Sequence, residues 1–188
     1  MKKLTIQSVK TYVSQQSEIL IGLIVVVVSI SAIVGIAVIA ENVQPKIVYE
    51  PAKACELLTL PEAVTILGDK AVPTNNTAPS QSQNVTTSQC GYTDGTPDTE
   101  TMLVAAVVVR SGINDDGTEQ NRSEFSTAKS QIDTQPVNGV GDDAFYNAKL
   151  GQLNILSGRN WMILSSGVGS TPQANTLEDS LTLARTVL

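Results

Sequence analysis

The sequence predicts an α+β domain that follows a single transmembrane helix. Residues 19–40 form an uncharged and predominantly apolar run. After this run, two kinds of segment follow each other. Some have apolar residues at helical spacing, and others are rich in valine or switch between apolar and polar residues, as is typical of strands. Short loops join the last three predicted strands, as in antiparallel hairpins. We therefore expect a mostly antiparallel sheet packed against helices.

Residues 19–40 are predicted to cross a membrane as one helix. At about 1.5 Å per residue this run reaches roughly 30 Å, the thickness of the hydrocarbon core of a bilayer. Three lysines precede it, so the positive-inside rule places residues 1–18 in the cytoplasm. The alternative is a cleaved signal peptide, but the apolar regions of signal peptides run only about 7–15 residues. We expect a single-pass protein of the cell membrane with an extracytoplasmic C-terminal part.

The remaining chain is predicted to form a linker and one domain. Residues 41–54 contain two prolines and are interpreted as an extended linker, and residues 55–188 are enough for one hydrophobic core. From residue 41 onward, the chain contains 9 lysines and arginines and 17 acidic residues, which gives a formal charge of −8. This charge argues against a nucleic-acid partner, because phosphates require a basic surface.

The first predicted helix of the domain begins at a capping box. Thr59 and Glu62 have the spacing of the box, a proline lies in the first turn, and Gly68 ends the helix. Residues 69–88 are rich in Asn, Thr, Ser, Gln and Pro and show no periodicity. They are predicted to form a mobile loop.

Two strands and a second helix are predicted next. A short strand is expected at residues 89–93, and the valine-rich residues 102–109 predict a central strand that is covered on both faces. Residues 114–117 have the composition of a turn, and a helix is predicted over residues 119–132. Its expected apolar face contains Phe125, Ala128 and Ile132.

Three short strands and a last helix complete the prediction. The strands are expected near residues 143–148, 152–156 and 160–165, with Gly-containing turns between them. The helix is expected from about Asn175 to the end of the chain, because leucines and an alanine recur there at helical spacing.

Cys55 and Cys90 are predicted to form a disulfide. Both lie on the predicted outer side of the membrane, where paired cysteines are usually oxidised. Such a bond would stabilise the fold by about 4 kcal/mol in the chain-entropy account. The chain contains no histidine, so two thiols make a poor zinc site, and no metal or cofactor is expected.

Several short motifs resemble a family of actinobacterial envelope lipoproteins of unknown function. The motifs are residues 55–59 (Cys-Glu-Leu-Leu-Thr), Glu62, Leu67-Gly68, residues 90–92 (Cys-Gly-Tyr) and residues 139–146 (Gly-Val-Gly-Asp-Asp-Ala-Phe-Tyr). The resemblance extends over residues 52–188 and implies an exported, tethered, disulfide-bonded module whose fold is similar to that of the photosystem extrinsic protein PsbP. Family members are commonly lipidated on a cysteine directly after a short signal. Here Cys55 lies about 15 residues beyond the apolar run, so a transmembrane helix takes the place of the lipid.

Motifs that suggest catalysis are weak. Ser126 and Lys129 match the S-x-x-K pattern of penicillin-recognising serine enzymes, but the companion S-D-N and K-T-G elements are missing. Asp142 and Asp143 are adjacent, so in a strand their side chains point to opposite faces and do not share a site. Asp115, Asp116 and Glu119 lack the spacing of an EF-hand.

The few aromatic residues suggest a ligand groove between the sheet and a helix. The residues proposed to line it are Tyr92, Phe145, Tyr146 and Trp161. The alternative is that these side chains pack in the core, because a domain with so few aromatics requires them there.

The leading functional hypothesis is a non-catalytic, membrane-anchored module that binds an envelope protein or a small ligand. An alternative is a pilin-like subunit of a surface appendage, since Glu18 lies near the start of the apolar run. Against it, Val13 occupies the position of the processing glycine, and Pro45 interrupts the expected long helix. A serine-dependent cell-wall enzyme, based on Ser126, is the third hypothesis.

Overall fold

A computed structural model describes residues 48–169, 171 and 174–188, with the backbone but not the side chain of Asn75. The elements are α1 (Ala54–Leu57), α2 (Leu60–Leu67), β1 (Val72–Ser82), β2 (Val85–Thr93), β3 (Leu103–Gly112), α3 (Asp115–Lys129), β4 (Thr134–Val137), β5 (Asp143–Asn147), β6 (Gln152–Ser157), β7 (Asn160–Val168) and α4 (Leu177–Val187).

The strands form one antiparallel sheet in the order β1-β2-β3-β7-β6-β5-β4. The valine-rich strand β3 pairs with β2 on one side and with β7 on the other. The expectation of an α+β fold with an antiparallel sheet packed against helices is therefore confirmed. The predictions of α2, of the central strand, of the last three strands and of the last helix are confirmed as well.

The main core lies on one face of the sheet, beneath α1, α2 and α4. Alternate residues of β3 (Ala105, Val107 and Val109) are fully buried there, and Leu183 of α4 packs against the same cluster. Because successive side chains of a strand point to opposite faces of the sheet, the other residues of β3 lie on the opposite face.

A smaller aromatic cluster lies on the opposite face, beneath α3. The ring of Phe125 from α3 contacts Phe145 with centroids 5.0 Å apart and Trp161 with centroids 5.9 Å apart, both in edge-on geometry. Such pairs stabilise a cluster beyond the area that they bury. Helices therefore cover both faces of the sheet.

The prediction of a mobile loop at residues 69–88 is wrong. Most of this segment belongs to the hairpin of β1 and β2, whose turn includes Gln83 with a φ of 55°. Apolar periodicity is missing because β1 is an edge strand with largely exposed side chains. Backbone hydrogen bonds to β2 hold β1 in place, and burial of an apolar face does not.

The predicted turn at residues 114–117 is also wrong, because it is the start of α3. Asn114 caps this helix, and its Oδ1 accepts a hydrogen bond of 2.9 Å from the N–H of Gly117. The helix ends at Lys129, so Ile132 lies beyond it and is 88% exposed instead of packing beside Phe125. Asn, Asp and Gly favour turns and helix N-termini alike, which explains the error.

The fold begins before Cys55, within the segment interpreted as a linker. The N–H of Tyr49 donates to the Ile113 carbonyl at 2.7 Å, and that of Ala54 donates to the Ser88 hydroxyl at 2.9 Å. Strand β4 and the short helix α1 were not predicted. In the part of the chain that the structure describes, no helix combines the length and apolarity needed to cross a membrane, and the predicted span at residues 19–40 lies outside that part.

Candidate functional site

The predicted disulfide is present and joins α1 to β2. Cys55 and Cys90 are bonded, with their Cα atoms 5.0 Å apart. Cys90 is fully buried in the main core, whereas Cys55 is exposed. The bond therefore attaches the start of the folded chain to the sheet.

The four aromatic residues proposed to line a groove are divided between the two faces of the sheet. Tyr92 and Tyr146 lie in the main core, whereas Phe145 and Trp161 lie in the aromatic cluster beneath α3. Tyr146 and Phe145 are neighbours on β5, so their side chains point in opposite directions. All four are at least nine-tenths buried, and the structure does not bring them together on one surface.

The structure also does not bring the residues of the weak catalytic motifs together in one site. Ser126 is exposed on α3, and the ammonium group of Lys129 donates to both carboxylate oxygens of Asp143 at 2.6 and 2.9 Å. The neighbouring Asp142 accepts a hydrogen bond of 2.6 Å from the N–H of Gly158. The two aspartates thus have different partners.

An open cleft of about 690 Å³, here called the Tyr49 cleft, lies on the surface of the described part of the chain. The first turns of α3, the turn between β6 and β7, and the start of the described chain form its walls. Its lining residues are Tyr49, Asp115, Asp116, Thr118, Glu119, Arg122, Gly158 and Arg159.

Tyr49 and Arg159 form the fixed part of the Tyr49 cleft. The Tyr49 hydroxyl donates to Asp115 Oδ1 at 2.7 Å, and this hydrogen bond, together with partial burial and the carboxylate charge, raises the pKa of Tyr49. The guanidinium of Arg159 lies 4.8 Å from the centre of the Tyr49 ring, and its Nη2 donates to the Glu50 carbonyl at 2.9 Å. Cation–π contact and hydrogen bonds therefore hold both side chains in place.

Glu119 and Arg122 supply two opposite charges to the same cleft. They lie three residues apart on α3, which places their side chains on one side of the helix. Among the described residues, neither forms an ion pair. Both side chains are exposed to solvent.

The sequence does not predict this cleft as a site. Asp115, Asp116 and Glu119 lack the spacing of an EF-hand and are interpreted as a solvated turn. Nothing in the sequence singles out Tyr49 and Arg159. These two lie 110 residues apart in the chain, and no local pattern connects them. Within the described residues, no three His, Cys, Asp or Glu side chains are grouped so that they could hold a metal ion.

Comparison of the chain with models of known families, with characterised proteins and with solved structures finds no match.

Proposed function

We propose that the protein is a non-catalytic binding module of the cell envelope, tethered by residues 19–40 and folded outside the cytoplasm. The Cys55–Cys90 disulfide supports an oxidising compartment. The lysines before the apolar run support a cytoplasmic N-terminus. The resemblance to envelope lipoproteins agrees with this placement.

The observation that carries the proposal is the presence of two opposite charges in the Tyr49 cleft, Glu119 and Arg122, neither of which forms an ion pair within the described part of the chain. Glu119 attracts a cationic group and Arg122 an anionic group, and the Tyr49–Arg159 stack supplies a rigid surface beside them. A ligand that carries both charges a few ångströms apart satisfies both side chains at once. We therefore propose a small zwitterion of the size of a dipeptide, since pockets of about 300–1,000 Å³ accommodate small molecules.

The test is a calorimetric titration of the full chain in lipid nanodiscs with glycylglycine. Its N-acetylated form and its C-terminal amide each lack one charge and serve as ligand controls. We expect the zwitterion to bind, and each blocked form to bind about fivefold more weakly, because an exposed charge pair contributes up to about 1 kcal/mol.

Matched variants assign the binding to the cleft. Glu119→Gln should weaken binding of the zwitterion but not of the N-acetylated form, and Arg122→Gln should weaken binding of the zwitterion but not of the amide. Glu178→Gln removes an exposed charge from α4, away from the cleft lining, and should change nothing. Equal affinity for all three ligands, or cleavage of the dipeptide, would contradict the proposal.

A further inference from the structure

A small pocket lies beside the disulfide, between α1 and the edge strand β1, and is here called the Cys55 pocket. Its volume is about 300 Å³. Residues 76–79 of β1 line it on one side, and Lys53, Cys55 and Glu56 line it on the other. The register of β1 against β2 shifts on both sides of Thr77. Such irregularities bend a strand away from its regular path, and here they coincide with the wall of the pocket.

The two cysteines of the disulfide differ in their access to solvent. Cys55 is exposed and lines the Cys55 pocket, whereas Cys90 is fully buried in the main core. Thiol–disulfide exchange begins when a thiolate attacks one of the two sulfur atoms, and its rate depends on access to that atom. A small thiolate from solvent can therefore reach Cys55, whereas the core surrounds Cys90.

The charges that line the Cys55 pocket balance each other. The Lys53 ammonium group donates to Glu56 Oε1 at 2.8 Å, and residues 76–79 are uncharged. The whole chain has a formal net charge of −6, which opposes the approach of an anion. Among the lining residues, however, a thiolate meets no excess of negative charge.

The surroundings of Cys90 can accommodate a released thiol. Cys90 Sγ lies 3.5 Å from the carbonyl oxygen of Leu58, which can accept a hydrogen bond from a thiol at this position. The N–H of Ala54 donates to the Ser88 hydroxyl at 2.9 Å, so a second contact keeps α1 beside β2 when the disulfide is open. The sulfur of Cys90 therefore stays close to Cys55.

We propose that the Cys55 pocket is a reversible capture site for a low-molecular-weight thiol. The thiolate attacks Cys55 Sγ, a new S–S bond forms between them, and the bond between Cys55 and Cys90 breaks. The electron pair of the broken bond remains on Cys90 Sγ, which takes a proton from solvent. In the reverse step Cys90 attacks the mixed disulfide at Cys55 and releases the small thiol. The site is separate from the Tyr49 cleft and does not depend on the function proposed there.

The experiment treats the full chain in lipid nanodiscs with 2-mercaptoethanol and stops the reaction with acid at successive times. Acid converts thiolates into thiols and so halts exchange. Free thiols are then blocked in denaturant, and peptide mass spectrometry identifies the cysteine that carries the adduct. We expect the adduct on Cys55 and the blocking group on Cys90. Adducts on Cys90 as often as on Cys55, or no adduct at any time, would overturn the proposal.

Two matched variants test whether the pocket is the route to the sulfur. Ala78→Trp places a large side chain in the lining and should slow adduct formation about tenfold, because exchange depends on access. Ser80→Trp adds the same side chain to an exposed position of β1 outside the lining, and should leave the rate unchanged. Equal rates in the natural chain and in Ala78→Trp, with unchanged circular dichroism, would also overturn the proposal.

Single cysteine variants provide a second readout in the absence of the disulfide. In Cys90→Ala, the thiolate of Cys55 should attack bis(2-hydroxyethyl) disulfide, form a mixed disulfide and release 2-mercaptoethanol. In Cys55→Ser, the buried Cys90 should remain unmodified until urea unfolds the chain. Circular dichroism verifies that both variants are folded. Modification of Cys90 in the folded chain as fast as that of Cys55 would contradict the proposed asymmetry.

Discussion

Glu62 illustrates how one carboxylate fixes the start of a helix. Its Oε2 accepts hydrogen bonds of 2.5 Å from both the hydroxyl and the backbone N–H of Thr59. The hydroxyl makes the larger contribution and the N–H the smaller one to the lowered pKa of Glu62. The ionised form is therefore favoured in the folded chain.

This pKa shift predicts a loss of stability in acid. A carboxyl group whose pKa is lower in the folded chain stabilises the fold above its unfolded pKa, near 4.5, and this contribution disappears as pH falls through the folded pKa. Between about pH 6 and pH 3, the free energy of unfolding should therefore fall more steeply for the natural chain than for Glu62→Gln. The free energy of unfolding at each pH is measured by urea unfolding, followed by the fluorescence of Trp161, the only tryptophan.

The control for this prediction is Glu100→Gln, which alters an exposed carboxylate in a loop. Its unfolding free energy should fall with pH as steeply as that of the natural chain. Identical pH profiles for Glu62→Gln and the natural chain would show that the capping interaction does not contribute to stability.

At the scale of elements, α3 is attached to the sheet through apolar and polar contacts. The Asn121 amide donates to the carbonyls of Arg110 and Arg159 at 2.9 and 3.0 Å. Arg110 forms an ion pair of 2.6 Å with Glu124, lowering the pKa of that carboxyl, and lies 4.9 Å from the centre of the Trp161 ring.

Gly117 allows the start of α3 to approach the turn of the β1–β2 hairpin. A Cβ at this position would lie 1.9 Å from the carbonyl oxygen of Asn84. Because that neighbour is backbone, a side chain at residue 117 would displace the helix or the hairpin. This close approach explains why a glycine is accepted in the first turn of a helix, where it lowers intrinsic helix propensity.

Replacement of Phe125 by alanine should weaken the attachment of α3 strongly. Phe125 is 1% exposed and contacts the rings of Phe145 and Trp161. Removal of its ring should lower the free energy of unfolding by about 3–5 kcal/mol. The matched control is Ile132→Ala, which should change stability by less than about 0.5 kcal/mol because this residue is exposed beyond the helix. Similar losses for both variants would contradict this arrangement.

At the scale of the whole molecule, hydrogen bonds and the disulfide attach the first described residues to the sheet. Ala52 N–H donates to the Ser111 hydroxyl at 3.0 Å, Ala54 N–H donates to the Ser88 hydroxyl, and Cys55 is bonded to Cys90. These contacts reach β3 and β2 in succession. The start of the described chain is therefore held by two neighbouring strands.

Loss of the disulfide should lower global stability. The bond joins residues 35 positions apart, and a loop of this size corresponds to about 4 kcal/mol in the chain-entropy account. We expect this loss in the double variant Cys55→Ser, Cys90→Ala, where alanine avoids placing a hydroxyl at the fully buried position. Urea unfolding measures the loss.

The natural chain under a reducing agent provides the comparison for the disulfide. Its stability should fall to that of the double variant, and the double variant should not respond to the reductant. A loss below about 1 kcal/mol would show that the bond adds little beyond the surrounding contacts.

Both edges of the sheet carry features that oppose association with another strand. Strand β1 contains Pro73 and Pro79 and two irregularities in its register, and the short strand β4 contains Pro136. Proline removes a backbone donor, and bulges disturb the regular edge that a second strand requires. This arrangement therefore disfavours the addition of a further strand at either edge.

The sequence by itself determined the α+β class, the central strand, the helices α2 and α4, and the pairing of Cys55 with Cys90. These features depend on local periodicity, capping residues or simple counting. The tertiary structure alone decided that residues 72–82 form an edge strand, because backbone pairing holds it without an apolar pattern. It also decided which side chains line the Tyr49 cleft. This cleft joins residues that are distant in the chain, and only the packing of α3 and of the turn after β6 on the same sheet brings them to one surface.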